Sequence, residues 1–161
     1  ESSGSLLDHQ VAVYARRRQE VNADLIPTGR LVDVLHTAYD LRQFTSLASA
    51  FKALPQGFDT SYIFCEDMGE LRVQAAARSA TTGIRLDVLS TDCALQLYTG
   101  GGLSGKDIGK NGKVYPKLSG FCFESQHLVD SPNHPEFPTI RLEAGEAYYQ
   151  KVCYKFSTER F

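Results

Sequence analysis

Six stretches of this chain have the two-residue period or the apolar, β-branched and aromatic content of strands. The segments VAVYA (11–15), LRVQAAARS (71–79), IRLDVLS (84–90), ALQLY (94–98), FCFESQ (121–126) and YYQKVCYKF (148–156) are rich in Val, Ile, Leu, Phe, Tyr or Ala and are separated by Gly, Pro, Asn and Asp. Successive side chains of a strand point to opposite faces, so runs of this kind bury one side and expose the other. Against them stands a single helix candidate, TSLASAFKAL at residues 45–54, with Phe44, Leu47, Phe51 and Leu54 on one stripe and Pro55 and Gly57 beyond its end. Strand dominance with one short helix predicts an all-β sandwich or barrel. A chain of 161 residues is long enough for one domain with its own core.

Charge and punctuation remove several function classes. A formal net charge of -2 gives no reason to expect nucleic acid or an anionic membrane as partner. The run Arg16-Arg17-Arg18 reads as a solvated rim. No apolar run approaches the roughly 18 residues that a membrane span needs. The Gly-rich stretch GGGLSGKDIGKNGK (100–113) lacks the order G-x-x-x-x-G-K-[ST] and no helix pattern follows it, so its glycines serve turns rather than phosphates. Cys65, Cys93, Cys122 and Cys153 lie 28, 29 and 31 residues apart, without the close pairs of a zinc site. Each sits in an apolar stretch, so free buried thiols in a cytoplasmic protein are expected, with two disulfides in a secreted one as the alternative. No His/Asp grouping has metal-ligand spacing. The opening ESSGSLLDHQ has neither an initiator Met nor a signal pattern, so a further upstream segment is expected.

Two strands carry chemistry. In ALQLY, Gln96 and Tyr98 point one way and Leu95 and Leu97 the other; in FCFESQ, Cys122, Glu124 and Gln126 share one face and Phe121, Phe123 and Ser125 the opposite one. If both strands belong to one sheet, Gln96, Tyr98, Glu124 and Gln126 form a polar, partly aromatic patch. Amide and carboxylate groups suit the hydroxyls of a sugar, and a phenol ring suits its apolar face. The competing reading is a plain solvent-facing β surface, although such a surface ordinarily carries more Lys, Thr and Arg.

Several segments, taken in order, resemble the aldose 1-epimerase (galactose mutarotase) family: LLDHQVAVYA, DLIPTGRLVDV (24–34), YDLR (39–42), GFD (57–59), ATTGIRLDVLSTDCALQLYTGG (80–101) and GKNGKVYPKLSGFCFESQHLVDSPNHPEFPTIRLEAGEAYYQKVCYKFS (109–157). The resemblance implies a galactose-mutarotase-like large β-sandwich. Residues 1–161 correspond to its C-terminal portion, a single partial domain. Family members carry an N-terminal half with an asparagine–arginine pair and two histidines, and none of these motifs occurs here. Carried over residue by residue, Glu124 in FESQ matches the family's catalytic base. Asp59 in GFD and Gln96 in LQLYTG match groups that hold sugar hydroxyls. Thr60 departs from the histidine that usually follows that aspartate, and FES from the commoner LET or LEP.

The implied reaction interconverts the α and β anomers of a hexose such as galactose or glucose, without metal or other cofactor. It needs a proton taken from the C1 hydroxyl and one delivered to the ring oxygen. A carboxylate on a rigid strand suits the first task, and an imidazole suits the second. His9, His36, His127 and His134 each read as surface or loop-structuring groups, with His127 three residues beyond Glu124 at a loop rim. The acid is therefore expected from outside these residues. The expected partners are a monosaccharide and an N-terminal segment or companion chain that completes the sandwich. The alternative is a non-catalytic carbohydrate-binding or structural relative.

Overall fold

Apolar alternation sorts the strands into two layers. The computed structural model describes residues 5–64 and 69–159. In chain order its elements are β1 (His9–Val13), β2 (Arg17–Val21), β3 (Pro27–Asp33), β4 (Thr45–Ser46), α1 (Leu47–Ala53) and β5 (Asp59–Ile63). They continue with β6 (Arg72–Ser79), β7 (Ile84–Ser90), β8 (Ala94–Tyr98), β9 (Cys122–Gln126) and β10 (Val152–Thr158). The first sheet has the order β10-β7-β6-β1-β4 and the second β3-β2-β5-β8-β9. Every pairing is antiparallel. The fold is the mostly-β sandwich that the strand periodicity predicts. No helix among the described residues is long and apolar enough to cross a membrane.

Val11, Val13, Ala75, Ala77 and Val88 of the first sheet meet Tyr62, Leu95, Leu97 and Phe123 of the second in one core. Leu47 and Ala50 of α1, with Leu41 and Leu54, close one end of it. Tyr62 is fully buried, and its hydroxyl donates to the Tyr39 carbonyl at 3.0 Å. Burial pushes its phenol pKa well above the ordinary value. The YDLR segment is structural. Leu41 is buried and its carbonyl accepts from Val13 N–H at 2.8 Å, while Arg42 Nε and Nη2 each donate to the Asp40 carboxylate at 2.8 Å.

The structure moves several boundaries. The helix is shorter than residues 45–54 because Thr45 and Ser46 pair with Val11 and Gln10 as a short edge strand. Phe44 does not join the helix stripe; its ring lies beneath the Arg78 guanidinium at 4.0 Å. β1 runs from His9 to Val13 rather than from 11 to 15, and β10 begins at Val152, leaving the exposed Tyr148 and Tyr149 outside it. The polar strands β2, β3 and β5 carry too few apolar residues to show an alternation. Arg17 and Arg18 do not form a solvated rim. They pair with Ile63 and Tyr62 in β2, and Arg18 stacks over the Tyr39 ring at 4.1 Å. Arg16 is exposed.

Of the cysteines, Cys93 is buried as expected, Cys153 is half-buried and Cys122 is exposed. Cys122 is exposed because its place in the alternation turns it outward. Cys65 lies outside the described residues.

Core packing thins toward one edge. Val13, Ala75, Val88 and Tyr154 form one cross-strand row, and Val11, Ala77, Leu86 and Phe156 the next. Both rows begin in the closed core and end on rings that are 54% and 69% exposed.

Candidate functional site

The outer face of the second sheet is set by the registers of β5, β8 and β9. Ser61 pairs with Gln96 and Gln96 with Glu124; one step along, Asp59 pairs with Tyr98 and Tyr98 with Cys122. Directly paired residues share a face, so these six side chains stand together. Gln96 Nε2 donates to Asp59 Oδ1 at 2.5 Å, diagonally across the ladder. Glu124 is exposed, and no hydrogen bond or ion pair holds its carboxylate among the described residues. Its charge is felt by Cys122, whose thiol pKa is raised by partial burial and then by Glu124.

Asp59 owes its position to the turn before it. Gly57 has φ of +81°, and a Cβ there would overlap Thr99 Oγ1 and Leu118 Cδ2. That close approach lets Phe58 N–H donate to Thr99 Oγ1 at 2.7 Å, tying the start of β5 to the end of β8. On the other side, Gly100 has φ of +72°, and its carbonyl accepts from Leu103 and Leu118 N–H at 3.2 and 3.0 Å. The Gly-rich stretch thus builds turns beside the face.

A cleft of about 200 Å³ opens beside this row, lined among others by Gln19, Gln56, Asp59, Ser61, Gln96 and Val129. Glu124 lies one strand spacing beyond its margin, facing the same side. Ser61 Oγ and Gln96 Oε1 are shielded from solvent with no hydrogen-bond partner among the described residues. Buried polar atoms are nearly always satisfied, so these two are suited to a ligand's hydroxyl groups. Thr60, the departure from the family pattern, pairs with Leu97 and is buried on the inner side of the sheet.

The loop after β9 folds back over the far end of the face. Leu128 and Phe137 pack on Ile63, Cys93 and Ala94. Gln19 clamps the loop with both ends of its amide: Nε2 donates to the Val129 carbonyl at 3.0 Å, and Val129 N–H donates to Oε1 at 2.8 Å. His134 stands between Asp130 at 3.5 Å and Glu136 at 3.2 Å, with its ring on Phe137. That is the loop-structuring role expected of it.

The other histidines stand apart from the row as well. His9 reaches the Ser5 carbonyl at 3.2 Å and packs edge-on against Phe121. His36 is exposed in a turn with φ of +59°. His127 packs its ring against Tyr148, and its Nδ1 is buried without a hydrogen-bond partner among the described residues. The structure therefore brings together Asp59 and Gln96 by contact and Gln96 and Glu124 by register. The cleft also gathers Gln19, Gln56 and Ser61, which the strand periodicity does not single out. For Ser61 the available signal is its i+2 spacing from Asp59; Gln19 directly follows the basic run Arg16-Arg17-Arg18 and is obscured by it.

Fold and face together define a two-sheet antiparallel β-sandwich with a row of polar groups on the outer side of one sheet. Residues 1–155 match the family described as Aldose 1-epimerase, and the chain belongs to that family. It is 39% identical over 158 residues to galactose mutarotase of Rattus norvegicus, covering 98% of this chain and 46% of that protein. It is 31% identical over 162 residues to aldose 1-epimerase of Haemophilus influenzae, covering 97% of this chain and 47% of that protein. The fold superposes on the crystal structure of a GalM/aldose epimerase homologue from C. elegans with a TM-score of 0.82 at 22% identity, covering 98% of this chain and 47% of that one. The chain thus spans about half the length of these relatives.

Proposed function

We propose that the complete protein interconverts the α and β anomers of a hexose such as galactose or glucose, with Glu124 as proton acceptor and Asp59 and Gln96 holding sugar hydroxyls. One observation carries this reading: Glu124 pairs directly with Gln96, which is itself bonded to Asp59, on one outward face. The names borne by the relatives support the reaction class. Glu124 removes the C1 hydroxyl proton while an acid protonates the ring oxygen. The ring opens, the C1–C2 bond rotates, and the freed ring hydroxyl attacks the other face of the carbonyl. Its proton returns to the acid's conjugate base while Glu124 gives its proton back to the C1 oxygen. A carboxylate fixed on a strand performs this by placement more than by basic strength.

The acid comes from elsewhere, since no histidine of this chain stands on the Glu124–Gln96 row. We infer that an N-terminal half of the sandwich, in the same polypeptide or in a companion chain, brings the acid and covers Tyr154 and Phe156. The uncovered apolar rows on β10 support that arrangement, because a core face left in water is unfavourable.

The test is Glu124→Gln in the complete protein, followed by polarimetry and sugar binding. The exchange keeps shape and removes the proton acceptor, so binding persists and interconversion falls by about 10²–10⁴. Equal rates with Glu and Gln at position 124, with sugar still bound, favour the non-catalytic carbohydrate-binding alternative.

A further inference from the structure

Between the two sheets lies a buried polar link that the anomer chemistry does not use directly. It starts at an irregularity in β6. Val73 pairs with Leu89 but Ala75 pairs with Val88, which leaves Gln74 as an extra residue in the ladder. A bulge bends its strand and re-aims a side chain. Here it carries a fully buried amide across to the second sheet, and both ends of that amide are bonded. Gln74 Oε1 accepts from Ser125 Oγ at 2.9 Å, and Gln74 Nε2 donates to the Asp92 carbonyl at 2.7 Å.

Those two partners precede and follow the proposed site in a telling way. Ser125 is the neighbour of Glu124 on β9, and Asp92 lies two residues before β8, the strand that bears Gln96. Asp92 is itself fixed: it is fully buried, and its Oδ2 accepts from Ser90 Oγ at 2.9 Å and Gln150 Nε2 at 2.6 Å. Neighbouring side chains of a strand point to opposite faces, so a hydroxyl held inward at 125 fixes the outward direction of the carboxylate at 124.

We infer that Gln74 is a positioning residue for Glu124, acting through Ser125 from beneath the sheet. The inference rests on the reading of Glu124 as proton acceptor. An apolar side chain at 74 fills the same space but holds nothing directionally, and it strands the Ser125 hydroxyl and the Asp92 carbonyl. Reacting groups must be held to within about 0.5 Å, and a misplacement of about 1 Å costs about 10²-fold in rate.

The experiment measures kcat and KM for anomer interconversion by the complete protein carrying Gln74→Leu, Ser125→Ala, Ser125→Thr or Glu124→Gln. Ser125→Ala lowers kcat by about 10- to 100-fold with KM within about twofold of the parent. Ser125→Thr, which keeps a hydroxyl, restores most of the loss. Gln74→Leu lowers kcat to the level of Ser125→Ala, and combining the two adds little. Should Gln74→Leu fail to fold, the Ala and Thr exchanges at 125 decide the matter alone. Parental kcat in Ser125→Ala, or a rise in KM with kcat retained, overturns the positioning role while a collapsed Glu124→Gln leaves the proton-acceptor reading standing. Undiminished turnover in Glu124→Gln overturns both.

Discussion

Gln96 donates its amide hydrogen to Asp59 Oδ1 at 2.5 Å, and this diagonal bond fixes which way the glutamine carbonyl is left facing. A hydrogen bond accepted by a carboxylate oxygen is of the shorter, stronger kind. Asp59→Ala therefore releases Gln96 and removes a sugar contact at once. The expected result is a loss of about 10- to 100-fold in kcat/KM for anomer interconversion by the complete protein. Asp59→Asn keeps an acceptor for Gln96 and loses less. Parental kcat/KM in Asp59→Ala would remove this pair from the site.

A second pair holds the wall of the cleft. Gln19 is buried and bonds Val129 through both its amide oxygen and its amide nitrogen. Gln19→Leu leaves the Val129 N–H and carbonyl without those partners, at a cost of about 1–3 kcal/mol. Denaturant melts should show the loss. Amide exchange at Val129 should speed up while exchange in β8 stays slow, since the loop and not the sheet loses its anchor. Equal acceleration in both places argues against a local clamp.

The acid limb of stability has an identifiable contributor. Hydrogen bonds from Arg42 hold the Asp40 carboxyl at about 2, below its ordinary 3.8. A group whose pKa is depressed by folding stabilises the fold above its unfolded value, and that contribution is lost as pH falls through the folded one. Asp40 therefore contributes fully at neutral pH and loses its contribution between about pH 3.8 and 2. Asp40→Asn should flatten the fall in melting temperature across that window. An unchanged slope would assign the acid sensitivity elsewhere.

The sequence made the face legible where apolar neighbours marked the alternation. Leu95 and Leu97 give away Gln96, and Phe121 and Phe123 give away Glu124; that parity turns both away from the core, and the register then pairs them directly. Legibility failed where amphipathic side chains did the packing. The half-buried Arg18 lays its guanidinium over the Tyr39 ring, so a packed β2 reads as a charged run. It failed again at the bulge, because a register shift at Gln74 breaks the period within a run of alanines. Cys122 is exposed although it lies in an apolar stretch, because its apolar neighbours are on the other face.

Tyr154 and Phe156 extend the core face of the first sheet beyond the second sheet's cover, at 54% and 69% exposure. If an N-terminal half of the sandwich closes over them, one substitution has two different costs. In the complete protein Phe156→Ala should cost about 3–5 kcal/mol, as truncation of an enclosed phenylalanine does. In the isolated 161-residue chain, where the ring faces solvent, it should cost less than about 0.5 kcal/mol. It should also reduce self-association of that chain, because exposed apolar rings on the edge strand β10 invite pairing between copies. Urea unfolding of both forms and sedimentation of the short one make the comparison. A small, equal effect in the two forms would mean that nothing covers β10, and the acid would then have to be sought within this chain, beginning with His127.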